Sequence, residues 1–526
     1  MAKILVADPL AEDGLERLRR AGEVTVVSKL AEAELIRRIP DFDALVVRSE
    51  TRVTAPIIDA GHKLRVVGRA GVGVDNIDVS AATRRGILVV NAPRGNIVAA
   101  AEHTIALLFS LARWVPQADA SVKRGEWTRT KFIGTEVRGK TLGVIGLGNV
   151  GSEVAKRAHG LEMDVVAYDP VVAVERAELF NVALVTLPEL LEQADFITVH
   201  VPLVDSNRNL LGPAELALMK PTARLINTAR GGIVDEAALC TALQSGRLAA
   251  AAADVFDQEP PGANPLLSLP NFIATPHIGA STLEAQVSVA FDVAEEVAAV
   301  LAGDLPRFAV NAPALPPEEI AYLRPFASLT ERIAALHAQL FGARVSGIEM
   351  DFEGELAEHD VNLLVASAIK GLLQPFTEER INAVNARLIA GNRGIKLVER
   401  RTRGHGSYAS LVTVRMEGHE IAGTLLMGEP RAVRIDSFRV DLFPEGRFLV
   451  SRHEDRPGVV GKVGSILGEH DVNIASMQVG RDTPRGNAMM ILAVDDRVAP
   501  DVLSRLREVG GMSDLRYVEL GTTSDG

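Results

Sequence analysis

The sequence predicts an α/β protein. Two doubly wound parallel-sheet domains face each other across a cleft, followed by a mixed α/β domain and a small ferredoxin-like βαββαβ domain. Three observations carry this expectation. From residue 3 to about 90, short β-branched runs (KILVAD, VTVVS, ALVVRS, LRVVGRAG, ILVVN) alternate with helical stretches, the pattern of a parallel sheet with helices on both faces. A second series runs from TLGVIG through VVAYDP, DFITVHVP, ARLINTARGG and AAADVFD to NFIATPHIGA. Its Val, Ile and Ala content suits strands buried on both sides. From about residue 448 the segments FLVSRH, GVVGKVGSILGEHD, NIASMQVGR, AMMILAVDD, APDVLSRLREV and DLRYVEL read as strand, helix, strand, strand, helix, strand.

The connections follow from these elements. A helix over about 98–112 carries the chain from the first series to the second, and another over about 282–302 follows the second series. If that later helix packs back on the first sheet, the first domain is discontinuous. It then comprises 1–95 and 285–312, with 96–284 inserted as a nucleotide-binding domain. PRFAVNAPALPP is proline-rich and reads as a linker. Residues 317–447 form the mixed α/β domain and carry no chemical motif, and 448–526 form the last domain.

Composition narrows the function. The chain has 526 residues and a net charge of −12, which argues against general nucleic-acid binding but leaves room for a local basic pocket. Its one cysteine, Cys240, excludes an internal disulfide framework and suits a reducing cytosol. Cys240 itself, in the helix DEAALCTALQSG, reads as a buried structural thiol. The start MAKILVADPL reads as a strand, so no signal peptide is expected. With no clean run of about 18 apolar residues, no membrane span is expected either. No metal site is expected.

The strongest motif is TLGVIGLGNVG. Gly146, Gly148 and Gly151 form G-x-G-x-x-G between an apolar strand and a helix. The first glycine permits the tight turn, the second lets a pyrophosphate approach the backbone, and the third lets helix and strand close together. The helix N-terminus offers free N–H groups to phosphate. The next strand, VVAYD, ends in Asp169. A carboxylate there accepts hydrogen bonds from ribose hydroxyls and repels a 2′-phosphate, so NAD rather than NADP is expected.

Three residues fall at or just after strand ends of this second series: Arg230 in NTARGG, Glu259 in DVFDQEPP and His277 in TPHIGA. Carboxyl ends of strands line the ligand crevice of an open α/β sheet. A guanidinium can hold a carboxylate with two hydrogen bonds, and an imidazole can exchange a hydroxyl proton near neutral pH. A Glu bonded to that imidazole fixes its tautomer. With a nicotinamide this set suits oxidation of a 2-hydroxy acid. Against it stand a surface arginine, a turn glutamate and a satisfied core histidine.

With these motifs the chain resembles the D-isomer-specific 2-hydroxyacid dehydrogenases. GLGNVG, AYDP, HVPL, NTARGGIVDE, DVFDQEP and PHIGAST occur in the family's order over about residues 1–312. VGRAGVGVDNID, NAPRGN and the long C-terminal extension make it similar to the long form with an intervening domain and a terminal ACT domain. The resemblance implies NAD-dependent oxidation of D-3-phosphoglycerate to 3-phosphohydroxypyruvate, opening phosphorylated L-serine biosynthesis, in a cytoplasmic homotetramer. It implies cofactor contacts at Asn149, Val150, Asp169, Pro202, Thr228, Ala229, Arg230, Asp254, His277 and Gly279, beside the three cradle glycines. It places Arg48, Val72 and Gly73 in the substrate loop and Arg129 and Lys131 of GEWTRTKF near the substrate phosphate. In DRPGVVGKVGSILGEHDVNI it implies that Asp455 and Asn473, with His453, bind L-serine across a dimer interface. Two departures stand out: Asn149 replaces an Arg that would reach the pyrophosphate, and His453 replaces a Tyr. The basic clusters GNRGIK and ERRTRGHG suggest a second anion site. Two other readings stay open: a dehydrogenase of glycerate or 2-hydroxyglutarate, and a non-catalytic NAD-sensing protein.

Overall fold

Five short strands, β1 (Ala2–Val6), β2 (Gly22–Val26), β3 (Ala44–Val47), β4 (Val66–Arg69) and β5 (Leu88–Asn91), pair in parallel in the order 2-1-3-4-5. All four residues of β3 are buried, because helices cover both faces. This computed structural model describes residues 1–313, 315–404, 407–510 and 512–521.

A second all-parallel sheet comprises β6 (Thr141–Ile145), β7 (Asp164–Tyr168), β8 (Ala183–Leu184), β9 (Phe196–Val199), β10 (Arg224–Asn227), β11 (Ala250–Ala253) and β12 (Phe272–Ala274). Its order is 12-11-10-9-6-7-8. Strand order reverses between β6 and β9, and a crevice opens at such a switch point, outside the strands' carboxyl ends. The helix Ile97–Arg113 links the two sheets. The helix Leu283–Leu301 packs on the first sheet. Val293 and Val297 come so close to β4 that a Cβ at Gly68 would meet their methyls at 2.9 and 2.7 Å. The Arg65 guanidinium donates to the last carbonyls of that helix, Val300 at 2.8 Å and Leu301 at 3.0 Å.

The segment expected to be a linker does more than connect. Val310 N–H donates to Val89 O at 2.7 Å, Asn311 Oδ1 accepts from Val89 N–H at 2.9 Å, and Ala309 bridges Val90 antiparallel. β5 is an edge strand with unpaired backbone groups, and this strap satisfies them. Cys240 also departs from expectation. It is only partly buried, because its helix face borders an open cavity shared with Glu236 and Gln258.

The third sheet contains β13 (Gly347–Gly354), β14 (Lys396–Thr402), β15 (Ser410–Met416), β16 (His419–Leu426), β17 (Glu429–Ile435) and β18 (Phe438–Leu442), in the order 14-13-15-16-17-18. Only β13 and β14 pair in parallel. Burial alternates strictly along β13, so one face meets helices and the other does not. Gly423 lets the helix Pro317–Phe341 close on the sheet, since a Cβ there would lie 2.9 Å from Leu329 Cδ1. The last sheet, β19 (Gly446–Glu454), β20 (Ile474–Arg481), β21 (Asn487–Val494) and β22 (Met512–Leu520), is antiparallel in the order 20-21-19-22. With its two helices it is the ferredoxin-like unit expected from the sequence. Residues 405–406 of the basic cluster ERRTRGHG and 522–526 of the last segment lie outside the described residues. Among the described residues no single helix is long and apolar enough to cross a membrane, and no group of His, Cys, Asp and Glu is placed to hold a metal.

Candidate active site

The nucleotide cradle sits where the second sheet opens. Gly146 turns at φ 94°, and a Cβ there would lie 2.8 Å from His200 O. A Cβ at Gly151 would lie 2.0 Å from Gly146 O, so strand and helix approach as closely as glycine allows. A Cβ at Gly148 would meet nothing within 4 Å, which leaves open space where a pyrophosphate would lie. Asn149 and Val150 open the helix Asn149–Gly160, whose first amides have no intrahelical partner. Asp169 accepts from Leu147 N–H at 2.9 Å through Oδ2, and from Val171 and Val172 N–H at 2.9 and 3.0 Å through Oδ1. A carboxylate offers about four lone-pair sites, so this fixed group still has capacity for a ribose hydroxyl. Pro202 is exposed after β9, and Thr228 and Ala229 follow β10. The open, glycine-lined turn and the oriented Asp169 fit a dinucleotide. Gly151→Ala is expected to abolish tight NADH binding and to destabilise the fold by about 1–3 kcal/mol. NADH fluorescence titration and thermal unfolding check this.

Two loops bring Glu259 and His277 together. His277 Nδ1 lies 2.7 Å from Glu259 Oε2, while Glu259 Oε1 accepts from Phe256 N–H at 3.1 Å. An ionised carboxylate only accepts, so Nδ1 carries the proton and Nε2 is left for exchange. Burial pushes the Glu259 pKa up, but the hydrogen bond from His277 and its charge outweigh this and hold it below the ordinary 4.5. The loop itself hangs on Asp254, whose carboxylate accepts from Ile278 N–H at 2.9 Å and Gly279 N–H at 2.8 Å.

Opposite this pair lies a cationic wall. A cleft of about 250 Å³ is lined by Arg48, Arg69, Gly73, Arg230, Glu259 and His277 among others. Arg230 crosses from the second sheet to the loop after β4, with Nε 3.3 Å from Asp75 Oδ2. A Cβ at Gly73 would lie 2.2 Å from Arg230 Nη2, so the guanidinium rests against bare backbone at that position. Val72 lines the same loop. Asp8, 1% exposed, accepts from the Arg48 backbone N–H and from Thr51 and so sets the Arg48 turn.

Arg69 was not anticipated from the sequence. Its Nε is buried with no hydrogen-bond partner. Burial first, then the neighbouring guanidiniums of Arg230 and Arg48, bring its pKa down to about 10, so it remains cationic at neutral pH. Three arginines face one cleft. Asp75, which pairs with Arg230, is itself 75% exposed. A buried unpaired donor calls for an explanation, and an anion held by the clustered guanidiniums would supply one. The signal was present: Arg69 ends the strand of LRVVGRAG as Arg230 follows NT at the end of its own.

Other expected contacts do not meet here. Arg129 and Lys131 lie on an exposed turn between the helix Val115–Lys123 and β6, and neither lines the cleft. Arg129 stacks instead over Trp127 at 5.8 Å. In the last sheet Asp455 follows β19 and accepts from Arg485 N–H at 3.0 Å, while exposed Asn473 precedes β20 and donates to Asp495 at 2.6 Å. Glu454 pairs with Asn487 at one end of β21, and Ile474 with Val494 at the other. The strand rise therefore separates Asp455 from Asn473 by roughly 20 Å within one chain. His453 is 4% exposed with Nδ1 unpartnered, and burial lowers its pKa.

Comparison with known proteins agrees with this geometry. Residues 105–279 match the NAD-binding domain of D-isomer specific 2-hydroxyacid dehydrogenases, 322–436 the D-3-phosphoglycerate dehydrogenase intervening domain, and 447–511 the ACT domain. The D-3-phosphoglycerate dehydrogenase of Synechocystis sp. is 47% identical, covering 99% of this chain and 95% of that protein. That of Archaeoglobus fulgidus is 46% identical, covering 98% and 100%. The D-lactate dehydrogenase of Aquifex aeolicus, solved with NAD and lactic acid, superimposes with a TM-score of 0.53 at 26% identity, covering 59% of this chain and 99% of that one. The chain belongs to the D-3-phosphoglycerate dehydrogenase family, within the D-isomer-specific 2-hydroxyacid dehydrogenases.

Proposed function

We propose that this protein oxidises D-3-phosphoglycerate to 3-phosphohydroxypyruvate with NAD, the first step of phosphorylated L-serine biosynthesis, in the cytoplasm. The carrying observation is one cleft that holds the His277–Glu259 pair opposite Arg48, Arg69 and Arg230. A bound nicotinamide supplies acceptance of a hydride from the carbon that bears the hydroxyl. His277 Nε2 takes the hydroxyl proton, and Glu259 stabilises the imidazolium and fixes its tautomer. Arg230 grips the substrate carboxylate, aided by the loop at Val72 and Gly73. Arg48 and Arg69 receive the phosphate. Asp169 and the cradle Gly146–Gly151 would hold the cofactor, with Pro202, Thr228, Ala229, Asp254 and Gly279 as further contacts implied by the family resemblance.

The test is NADH formation from D-3-phosphoglycerate. Turnover with NAD is expected, with kcat/KM for NADP lower by about tenfold or more because Asp169 meets the 2′-phosphate. No turnover beside intact NADH binding would favour the NAD-sensing alternative. Arg69→Gln is expected to raise KM for the phosphorylated substrate by about 10–100-fold, the loss of one charged hydrogen bond. Its kcat on unphosphorylated hydroxypyruvate should stay near wild type in the same steady-state assay.

The division into 1–95 with 285–312, 96–284, 317–447 and 448–526 belongs to the same proposal, supported by the packing of Leu283–Leu301 on the first sheet. So does a homotetramer. It rests on exposed large apolar side chains around the helix Val115–Lys123: Val115, Val122, Trp127 and Ile133 are each at least 53% exposed, and a second copy would cover them. L-Serine binding at His453, Asp455 and Asn473 then requires two chains, since the ends of one sheet cannot share a ligand. Inhibition by L-serine that Asn473→Ala removes, measured beside mass by light scattering, checks both points.

A further inference from the structure

We propose that His103, on the helix linking the two sheets, is a positioning residue that holds Asp254 and, through it, the loop presenting His277. The inference rests on the acid–base reading of His277 given above.

Asp254 is 1% exposed. Its Oδ1 accepts from Thr275 Oγ1–H at 2.6 Å and Ile278 N–H at 2.9 Å, and its Oδ2 from Gly279 N–H at 2.8 Å. One carboxylate thus takes three hydrogen bonds from a single short segment. His277 sits inside that segment at φ 54°. This left-handed conformation is unfavourable for a residue with a Cβ and persists only where its surroundings impose it.

The remaining donor comes from outside the loop. His103 Nε2 lies 3.3 Å from Asp254 Oδ1 and 3.1 Å from Thr275 Oγ1. The single hydroxyl proton of Thr275 is committed to Asp254, so the Thr275 oxygen accepts and His103 Nε2 is the donor. Packing is tight beneath the loop: a Cβ at Gly279 would lie 3.2 Å from Asp254 Oδ2 and 4.0 Å from His103 Cδ2. Burial pushes the Asp254 pKa up, but the hydrogen bonds from His103, Thr275, Ile278 and Gly279 outweigh it and hold the group below 3.8. Ionised, the carboxylate can accept every one of these bonds. Protonated, it would lose acceptor capacity toward the loop.

The neighbouring residue on the same helix does the corresponding job for the other loop. Thr104 Oγ1 lies 2.8 Å from Thr228 Oγ1, two residues before Arg230. Consecutive side chains of one helix therefore reach the loop that carries the proton acceptor and the loop that carries the carboxylate clamp. Without His103, Asp254 loses a donor that favours its charged form, and His277 loses part of what fixes its backbone.

The test compares His103→Ala, His103→Gln and His277→Ala in the full-length enzyme. His103→Ala is expected to lower kcat by roughly 10–100-fold, the scale of a 1 Å misplacement, with the substrate KM changed only a few-fold. His103→Gln, whose amide Nε2 can donate at similar reach, should restore most of kcat. Wild-type kcat in His103→Ala would overturn the proposal. So would a loss of kcat that follows a loss of thermal stability without rescue by Gln. An active His277→Ala enzyme would overturn the acid–base reading and this inference with it. An inactive His277→Ala beside a fully active His103→Ala overturns this inference alone.

Discussion

Replacing His277 by alanine is expected to lower turnover by about 10²–10⁴-fold, the usual contribution of a general acid–base group, while NADH affinity stays within a few-fold. The reason is geometric. Nδ1 is committed to Glu259 at 2.7 Å, so Nε2 is the one ring atom left to exchange the hydroxyl proton. The cofactor cradle is built on the other side of the sheet's switch point, from Gly146, Gly148, Gly151 and Asp169, and does not depend on the imidazole. Glu259→Gln should give a smaller loss, because an amide still accepts from Nδ1–H but no longer stabilises the imidazolium. Steady-state rates and NADH fluorescence titration separate the two effects. Loss of NADH binding with normal turnover at saturation would contradict the assignment.

Arg230→Ala carries the second large effect. Truncating one member of a buried, hydrogen-bonded charge pair costs about 2–5 kcal/mol, so kcat/KM for the hydroxy acid should fall by roughly 30- to several-thousand-fold. Arg230→Lys should recover little of it, because a single ammonium cannot form the two parallel bonds a guanidinium gives a carboxylate. The structure adds a reason to expect a clean result. Arg230 pairs with Asp75, which is 75% exposed, so its removal leaves no buried carboxylate unpaired. A fall in kcat/KM equal for carboxylate-bearing and carboxylate-free substrates would argue against the clamp.

The two parallel sheets were legible because their strands are continuous apolar runs, and G-x-G-x-x-G with Asp169 fixed the nucleotide crevice. Arg230, Glu259 and His277 were legible because each sits at or just after a strand end, and the structure brings all three to one cleft. Arg69 was hidden in a motif read for its glycines: Val72 and Gly73 drew attention to the loop, while the arginine two residues before Gly71 looked like strand. His103 was hidden by periodicity, since a polar residue in an apolar helix reads as an interruption until its partner, 151 residues along the chain, is known. The third sheet was legible only as alternation, with one face of β13 buried and the other half-exposed. The proline-rich strap misled for a different reason. Composition reports the absence of helix and strand propensity, not the unpaired edge of β5 that the segment satisfies. Arg129 and Lys131 were read for their charge, and the structure sets their exposed turn outside the cleft, with Arg129 over Trp127.

The central claim is that the Arg48, Arg69 and Arg230 wall reads a phosphorylated 2-hydroxy acid. The most direct measurement is NADH consumption with 3-phosphohydroxypyruvate against hydroxypyruvate, on one enzyme preparation at fixed ionic strength. A much higher kcat/KM for the phosphorylated ketoacid, lost selectively in Arg69→Gln, is the expected result. Equal specificity constants for the two ketoacids would contradict it and leave a general 2-hydroxyacid dehydrogenase.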